Sequence, residues 1–234
     1  MDPQTLPAPQ KALYETIAQE YKVTFEPLTI GDIRLHLLKI TDLEQILGGK
    51  DPLKDVSDFP FWIRLWEAAL VLAEFVGGRN FAPGTSVLEL GAGLGAPGLV
   101  AAAGGCAVTL TDYEELILDF ERVSAAASGL EVDCMLLDWL DPPAMKQYDV
   151  ILGAEILFRE EFFEPLLSLL GKTLRPGGTI YLAHDIRRKS LAPFLQMAED
   201  QYTISAQKKK LKSLEEDKEV LLTRLVARRD GPTG

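Results

Sequence analysis

Apolar and polar positions set the first divisions of the chain. Over residues 8–21, Leu13, Ile17 and Tyr21 recur every four positions, the spacing of one helix face. From residue 22 the period drops to two. Val23 and Phe25, then Ile33, Leu35 and Leu37, alternate with polar residues, with Pro27 and Gly31 between them, which predicts a β-hairpin or two short strands. Thr41 with Glu44 three positions later, then Gly48 and Gly49, predicts a short capped helix over 41–49. The polar, proline-containing stretch 50–60 reads as a loop. Residues 60–78, PFWIRLWEAALVLAEFVGG, are apolar almost throughout and read as one long helix ended by a glycine pair.

After Pro83 short β-type runs alternate with helical ones. Strands are predicted over 86–90, 107–111, 131–136, 149–153 and 179–183, and helices over 96–103, 114–128 and 161–174. The strands are nearly continuous apolar runs, as a sheet covered on both faces requires, and the alternation predicts a mostly parallel sheet between helices. Residues 201–209 and 220–227 read as two more strands joined by a charged segment. No repeat, low-complexity tract or flexible linker interrupts the chain. The organisation read from it is an N-terminal extension of helix and hairpin over residues 1–59, packed on one domain over residues 60–234.

Composition narrows the classes. The chain has 234 residues, of which 47% are hydrophobic, enough for a substantial core. Mean hydropathy is +0.06, yet no apolar run reaches the ~18 residues of a membrane span. The start, MDPQTLPAPQKALYE, lacks the basic and apolar regions of a signal peptide. Cys106 and Cys134 lie in apolar stretches and read as buried free thiols, which fits a reducing, cytoplasmic location. Two cysteines and two histidines, all far apart, make no zinc site. His36 alternates with apolar neighbours and reads as facing solvent. A net charge of −11 opposes nucleic-acid binding. The one basic run, 208–212, is followed at once by Glu215, Glu216 and Asp217 and reads as a solvated hairpin. A small molecule or a basic protein suits this balance as partner, and nothing in the N-terminal part compels a dimer, so a monomer is expected.

Candidate chemistry begins at residues 86–98, SVLELGAGLGAPG, a strand running into glycines at every second position. Glycines let the backbone turn tightly against a ligand, and the helix that follows points its unpaired N–H groups at it; Pro97 sits in the first turn, where its missing N–H costs nothing. Gly93, Gly95 and Gly98 match the dinucleotide pattern GxGxxG, which by itself is weak. Asp112 ends the next strand and could accept both hydroxyls of a ribose, as acids do in dinucleotide enzymes too. After the third strand, in LLDWLDPP, Asp138 could accept an adenine amino group and Trp139 offers a flat face for stacking. These residues support a nucleoside ligand and leave open which one.

The order Glu89-x-Gly91-x-Gly93-x-Gly95 resembles the first motif of class I S-adenosylmethionine (SAM) methyltransferases, and Asp112 with Asp138–Trp139 is similar to the rest of their donor site. PFWIRLWEAALVLAEFV, LDWLDP and GAEILFREEFFEPLLSLL together resemble the family 16 group of seven-strand protein-lysine methyltransferases, in order over roughly residues 20–190. The resemblance implies a Rossmann-like class I methyltransferase sandwich, an α/β fold with a mostly parallel seven-stranded sheet, helices on both faces and the N-terminal hairpin and helix as an extension. It implies SAM as cofactor and S-adenosylhomocysteine as product, held by Trp66, Glu89, Gly91, Ala92, Gly93, Gly95, Asp112, Tyr113, Asp138, Trp139 and Ala154. It implies methyl transfer to a lysine of a protein substrate, with Glu155 and Phe158 as catalytic residues. The group carries Asp-x-x-Tyr there, where this chain has Glu155-x-x-Phe158, one methylene longer and without the hydroxyl. The expected chemistry is a direct displacement in which positioning does most of the work. Glu155 would orient the arriving amine and Phe158 would wall its channel. His184, Asp185 and Arg187 follow the fifth strand and read as a hydrogen-bonded loop that could also touch substrate; Trp62 reads as packing. The competing readings are a small-molecule N- or O-methyltransferase, a non-catalytic SAM-binding module and an NAD-dependent oxidoreductase.

Overall fold

The computed structural model describes residues 1–42, 61–211 and 217–228. The predicted helix over 41–49 and loop over 50–60 fall outside these, apart from Thr41 and Asp42, as does the middle of the charged segment near residue 214. The chain opens with helix α1 (Ala8–Glu20) and an antiparallel hairpin, β1 (Val23–Ile30) and β2 (Ile33–Ile40), turning at Asp32 beside Gly31. The stretch read as one helix is divided. A 3-10 turn, Phe61–Ile63, is followed by an extended Trp66, and helix α2 begins only at Glu67 and runs to Gly77. The cause is tertiary. The Trp62 ring packs edge-on against Phe120 at 5.1 Å, and the Arg64 guanidinium lies 4.8 Å over the Trp66 ring. These aromatic anchors outweigh a helical period.

From residue 86 the predicted alternation is present: β3 (Ser86–Leu90), α3 (Ala96–Ala103), β4 (Ala107–Asp112), α4 (Glu115–Ala127), β5 (Asp133–Leu136), β6 (Tyr148–Ala154), α5 (Phe163–Thr173), β7 (Leu174–Asp185), α6 (Leu191–Ala198), β8 (Tyr202–Leu211) and β9 (Lys218–Ala227). The seven strands β3–β9 form one sheet in the order β5-β4-β3-β6-β7-β9-β8. Pairings from β5 to β7 are parallel, and β9 runs antiparallel between β7 and β8. Helix α6 has no counterpart in the sequence reading, and β7 extends well before residue 179.

Alternate residues of each strand go to opposite faces, as the pleat requires. Val87, Val150, Leu152, Tyr181 and Ala183 join α2 and α3 in one core layer; Leu88, Leu90, Ile151, Ile180 and Leu182 join α5 and α6 in the other. A third apolar layer forms where α1 and the hairpin cover α4, through Ile17, Leu38, Ile40, Phe120 and Val123. There Ser124 of α4 and Ser128, which caps its C-terminus, reach the hairpin's inner edge: the Leu38 N–H donates to Ser124 Oγ at 2.8 Å and the His36 N–H to Ser128 Oγ at 2.9 Å. His36, expected to face solvent, is therefore half-buried against this helix. Cys106 is buried and Cys134 partly so, and both are free thiols. Lys208 pairs with Glu219 across the β8–β9 hairpin at 2.7 Å.

Successive strands step outward from β3 to β4 and β5, then return to the other side of β3 with β6. That reversal opens a crevice at the carboxyl ends of β3 and β6, where open α/β sheets bind ligands.

Candidate active site

The glycine turn after β3 occupies that crevice. Gly91, Gly93 and Gly95 all take positive φ, and Gly95 at +70° caps α3 from the left-handed region that other residues avoid. Gly98 is required for space instead. A Cβ there would collide with Leu110 and approach Glu89 Oε2 to 2.5 Å. The turn is pinned from below by two carboxylates on neighbouring strands. Glu89 Oε2 accepts the Gly98 N–H at 2.7 Å, and Asp112 Oδ2 accepts the Gly93 N–H at 2.9 Å. The Ala92 N–H bonds Thr111 O at 3.0 Å, and Thr111 Oγ1 donates to Glu89 O at 2.6 Å. Trp62 covers the turn from outside: a Cβ on Gly93 would lie 3.7 Å from the Trp62 Cα.

Burial raises the acids of this region. Glu89 is pushed up to about 8 by loss of solvent, partly offset by the Gly98 N–H. Asp112 is pushed up to about 6 by the same cause, opposed by the Gly93 and Tyr113 N–H groups. Glu121 of α4 is fully buried under Gly95, and burial, then the charges of Asp112 and Glu89, hold its pKa well above the ordinary value. The Cys134 thiol is near enough to oppose that rise, although neither Glu121 oxygen makes a hydrogen bond of good geometry.

Asp112 accepts one N–H on each oxygen, from Gly93 and from Tyr113, which leaves lone pairs on both for hydroxyl donors. The Tyr113 side chain beside it is 69% exposed. Asp138 is exposed, and its Oδ1 accepts the Leu140 N–H at 2.9 Å. The Trp139 ring lies against the turn, 3.6 Å from where a Gly91 Cβ would stand. It also touches Phe158 and Phe162, with centroids 6.3 and 5.9 Å away, so one indole joins the glycine turn to the aromatic patch after β6. Trp66 is half-buried at the start of α2, beneath Arg64. Ala154 ends β6, paired with Ala183.

Glu155 follows directly. Its φ of +57° is the only positive value for a non-glycine among the described residues. Its N–H donates to Ala183 O at 2.9 Å, and its carboxylate accepts the Asp185 N–H at 2.6 Å and Arg188 Nε–H at 2.6 Å. Burial pushes the Glu155 pKa up, and Arg188 and the Asp185 N–H oppose the rise. Phe158 is half-exposed at the mouth of a cleft of about 500 Å³ that Asp185, Arg188 and Ser190 also line. His184, expected in a loop, lies inside β7 and is fully buried. Its Nε2 accepts the Leu157 N–H at 3.3 Å, and burial drives its pKa down to about 3, so it is a neutral structural histidine out of substrate's reach. Asp185 and Arg187 pair with each other at 2.8 Å at the cleft rim. The sequence reading missed Arg188 and Glu121; the one sits in a polar loop and the other at an ordinary helix position, and only the fold brings them to the site.

The donor set fits SAM. The left-handed glycines hold the turn's backbone at the carboxyl rim, Asp112 keeps lone pairs on both oxygens, and Asp138 and Trp139 stand one strand further out. When bound, SAM supplies a methyl group on a positively charged sulfur.

Comparison with known proteins agrees. The family described as lysine methyltransferase matches residues 61–201. The mouse protein N-lysine methyltransferase METTL21A is 35% identical over 150 residues, covering 60% of this chain and 68% of that protein. Mouse EEF1A lysine methyltransferase 3 is 38% identical over 129 residues, and the chain spans 56% of its length and is itself covered to 53%. The rat histone-arginine methyltransferase METTL23 is 38% identical over 134 residues, 51% of this chain and 60% of that protein. Among solved structures, the magnesium protoporphyrin IX methyltransferase of Synechocystis, with bound SAM, superposes with a TM-score of 0.54 at 16% identity, covering 79% of this chain and 89% of that one. A fold that carries the class I arrangement and a family match over more than half its residues make this chain a member of the lysine methyltransferase family, a SAM-dependent methyltransferase.

Proposed function

We propose that this enzyme methylates the side-chain amine of a lysine in a protein substrate. Glu89, Gly91, Ala92, Gly93 and Gly95 would hold the methionine end of SAM. Asp112 and Tyr113 would hold the ribose, Asp138 and Trp139 the adenine, and Trp66 and Ala154 would close the pocket. Glu155 would orient the acceptor amine, and Phe158 would wall its path. The observation that carries this reading is a largely buried carboxylate, Glu155, at the carboxyl ends of the strands on the same rim as Asp112, beside a half-exposed aromatic patch. The relatives named as protein N-lysine methyltransferases support the acceptor class.

We also read residues 1–59 as an extension on a methyltransferase domain of residues 60–234, and the chain as a cytoplasmic monomer that binds no nucleic acid. Two free thiols and the acidic balance support this, and no helix among the described residues is long and apolar enough to cross a membrane. The test is SAM carrying a labelled methyl group, incubated with the enzyme and lysate of a strain lacking it, then mass spectrometry. Label on lysine side chains of a small set of proteins is expected, and Glu155→Gln should bind SAM normally yet lose most transfer. Label on arginine, histidine or a metabolite would overturn the acceptor.

A further inference from the structure

Arg188 lines the cleft, and Glu155 lies behind it. Oε1 is taken by the Asp185 N–H and Oε2 by Arg188, whose guanidinium also makes an ion pair with it. The Glu155 side chain is 11% exposed against 31% for Arg188, so the cation stands on the solvent side of the carboxylate. The loop bearing Arg188 is tied to the strand end beside Glu155, because Ser190 Oγ donates to Leu157 O and the Leu157 N–H to His184 Nε2. Glu155 holds its strained backbone within this frame.

The other charges at the cleft come from several elements. Glu160 projects from the 3-10 turn after β6, Asp185 ends β7, Arg187 and Lys189 come from the β7–α6 connection, and Lys218 at the start of β9 acts on Asp185. With Glu155 and Arg188 they make three carboxylates against four cations. His184 behind them is uncharged. An arriving ammonium therefore meets no excess of carboxylate, which would hold it in the charged form, with no lone pair to react.

We propose that Arg188 is a positioning residue for the acceptor: by neutralising Glu155 it makes the cleft take the amine unprotonated. This rests on Glu155 as the acceptor-facing group. The arriving ammonium gives its proton to water on entry, and the nitrogen keeps the lone pair that reacts. Glu155, held by Arg188, orients that nitrogen without trapping it as a cation.

The test needs no identified substrate. n-Butylamine, a mimic of the lysine head, is titrated into the full chain saturated with S-adenosylhomocysteine and followed by NMR at about pH 7 and about pH 9.5, between which its unprotonated fraction rises by roughly two orders of magnitude. The wild-type chain should bind it far better at the higher pH. Arg188→Met should bind the cation about tenfold or more tightly than wild type at about pH 7, through the uncovered carboxylate, and should lose the gain with pH. Arg188→Lys should restore the wild-type pattern, and adding Glu155→Gln to Arg188→Met should abolish the new binding. Arg188→Gln serves as a second neutral variant, and calorimetry with S-adenosylhomocysteine checks that each variant is folded. Unchanged binding in both neutral variants, no binding by any variant, or new binding that survives Glu155→Gln would overturn the proposal. Label found on another residue type in lysate would remove the lysine reading alone, because the butylamine result does not depend on it.

Discussion

At the scale of single residues, the proposed donor site is a set of acids whose surroundings differ. Asp112 has its oxygens aimed by two backbone N–H groups at the carboxyl end of β4. A ribose diol donating to that carboxylate makes charge-assisted bonds, so Asp112→Ala should weaken SAM binding by about a hundredfold in calorimetry while leaving the far-ultraviolet circular dichroism unchanged. Glu89 gives a prediction in pH. Its folded pKa of about 8 lies above the ordinary 4.5, so between those values the folded chain binds more protons than the unfolded one. Stability therefore falls as pH rises from about 4.5 toward about 8, and Asp112 adds to the same slope up to about 6. Glu89→Gln keeps an acceptor for the Gly98 N–H and removes the titration. Its melting temperature should gain on the wild type as pH rises from about 5 to about 8, and parallel curves would contradict the assignment. Glu89, Asp112 and Asp138 could be picked out from the sequence because the first two stand near the ends of apolar strands and the third just after one. Arg188 and Glu121 were not, because contacts spanning 33 residues for the one and a helix-to-turn packing for the other carry no local signature.

At the scale of elements, the glycine turn is where sequence and geometry agree most closely. Strand β3 and helix α3 begin and end where the pattern places them, since strand, turn and cap are all local features. Gly98 is the sharpest test. Its Cβ has no room between Leu110 and Glu89, so Gly98→Ala should destabilise the chain by about 1–3 kcal/mol and weaken SAM binding, measured by denaturant unfolding and calorimetry. An alanine tolerated in both assays would mean that the turn is looser than described. Two of the elements that departed from expectation have clear reasons. The apolar stretch 60–78 carries helical spacing throughout, but Trp62 is drawn onto Phe120 and the glycine turn, and the helix starts late. Helix α6 buries Leu191, Phe194 and Ala198 on one face, but at eight residues, with Pro193 inside, it reads like a loop. Proline is tolerated there because it falls in the first turn.

At the scale of the whole molecule, the topology turns these local pieces into a site. The reversal of strand order at β3 brings the ends of β3, β4 and β6 to one rim, and so sets Asp112, the glycine turn and Glu155 along it. The alternation of elements predicted the parallel sheet. The pairing of β9 between β7 and β8 is a long-range choice that periodicity does not specify, as is the cover of α4 by the N-terminal hairpin through Ser124 and Ser128. The central claim, that SAM lies across this rim, is tested most directly by a crystal structure of the chain with S-adenosylhomocysteine. The account predicts the ribose hydroxyls on the Asp112 carboxylate, the adenine beside Asp138 and Trp139, and the sulfur pointing toward Glu155. A ribose bound away from Asp112, or a sulfur facing away from the cleft, would contradict it.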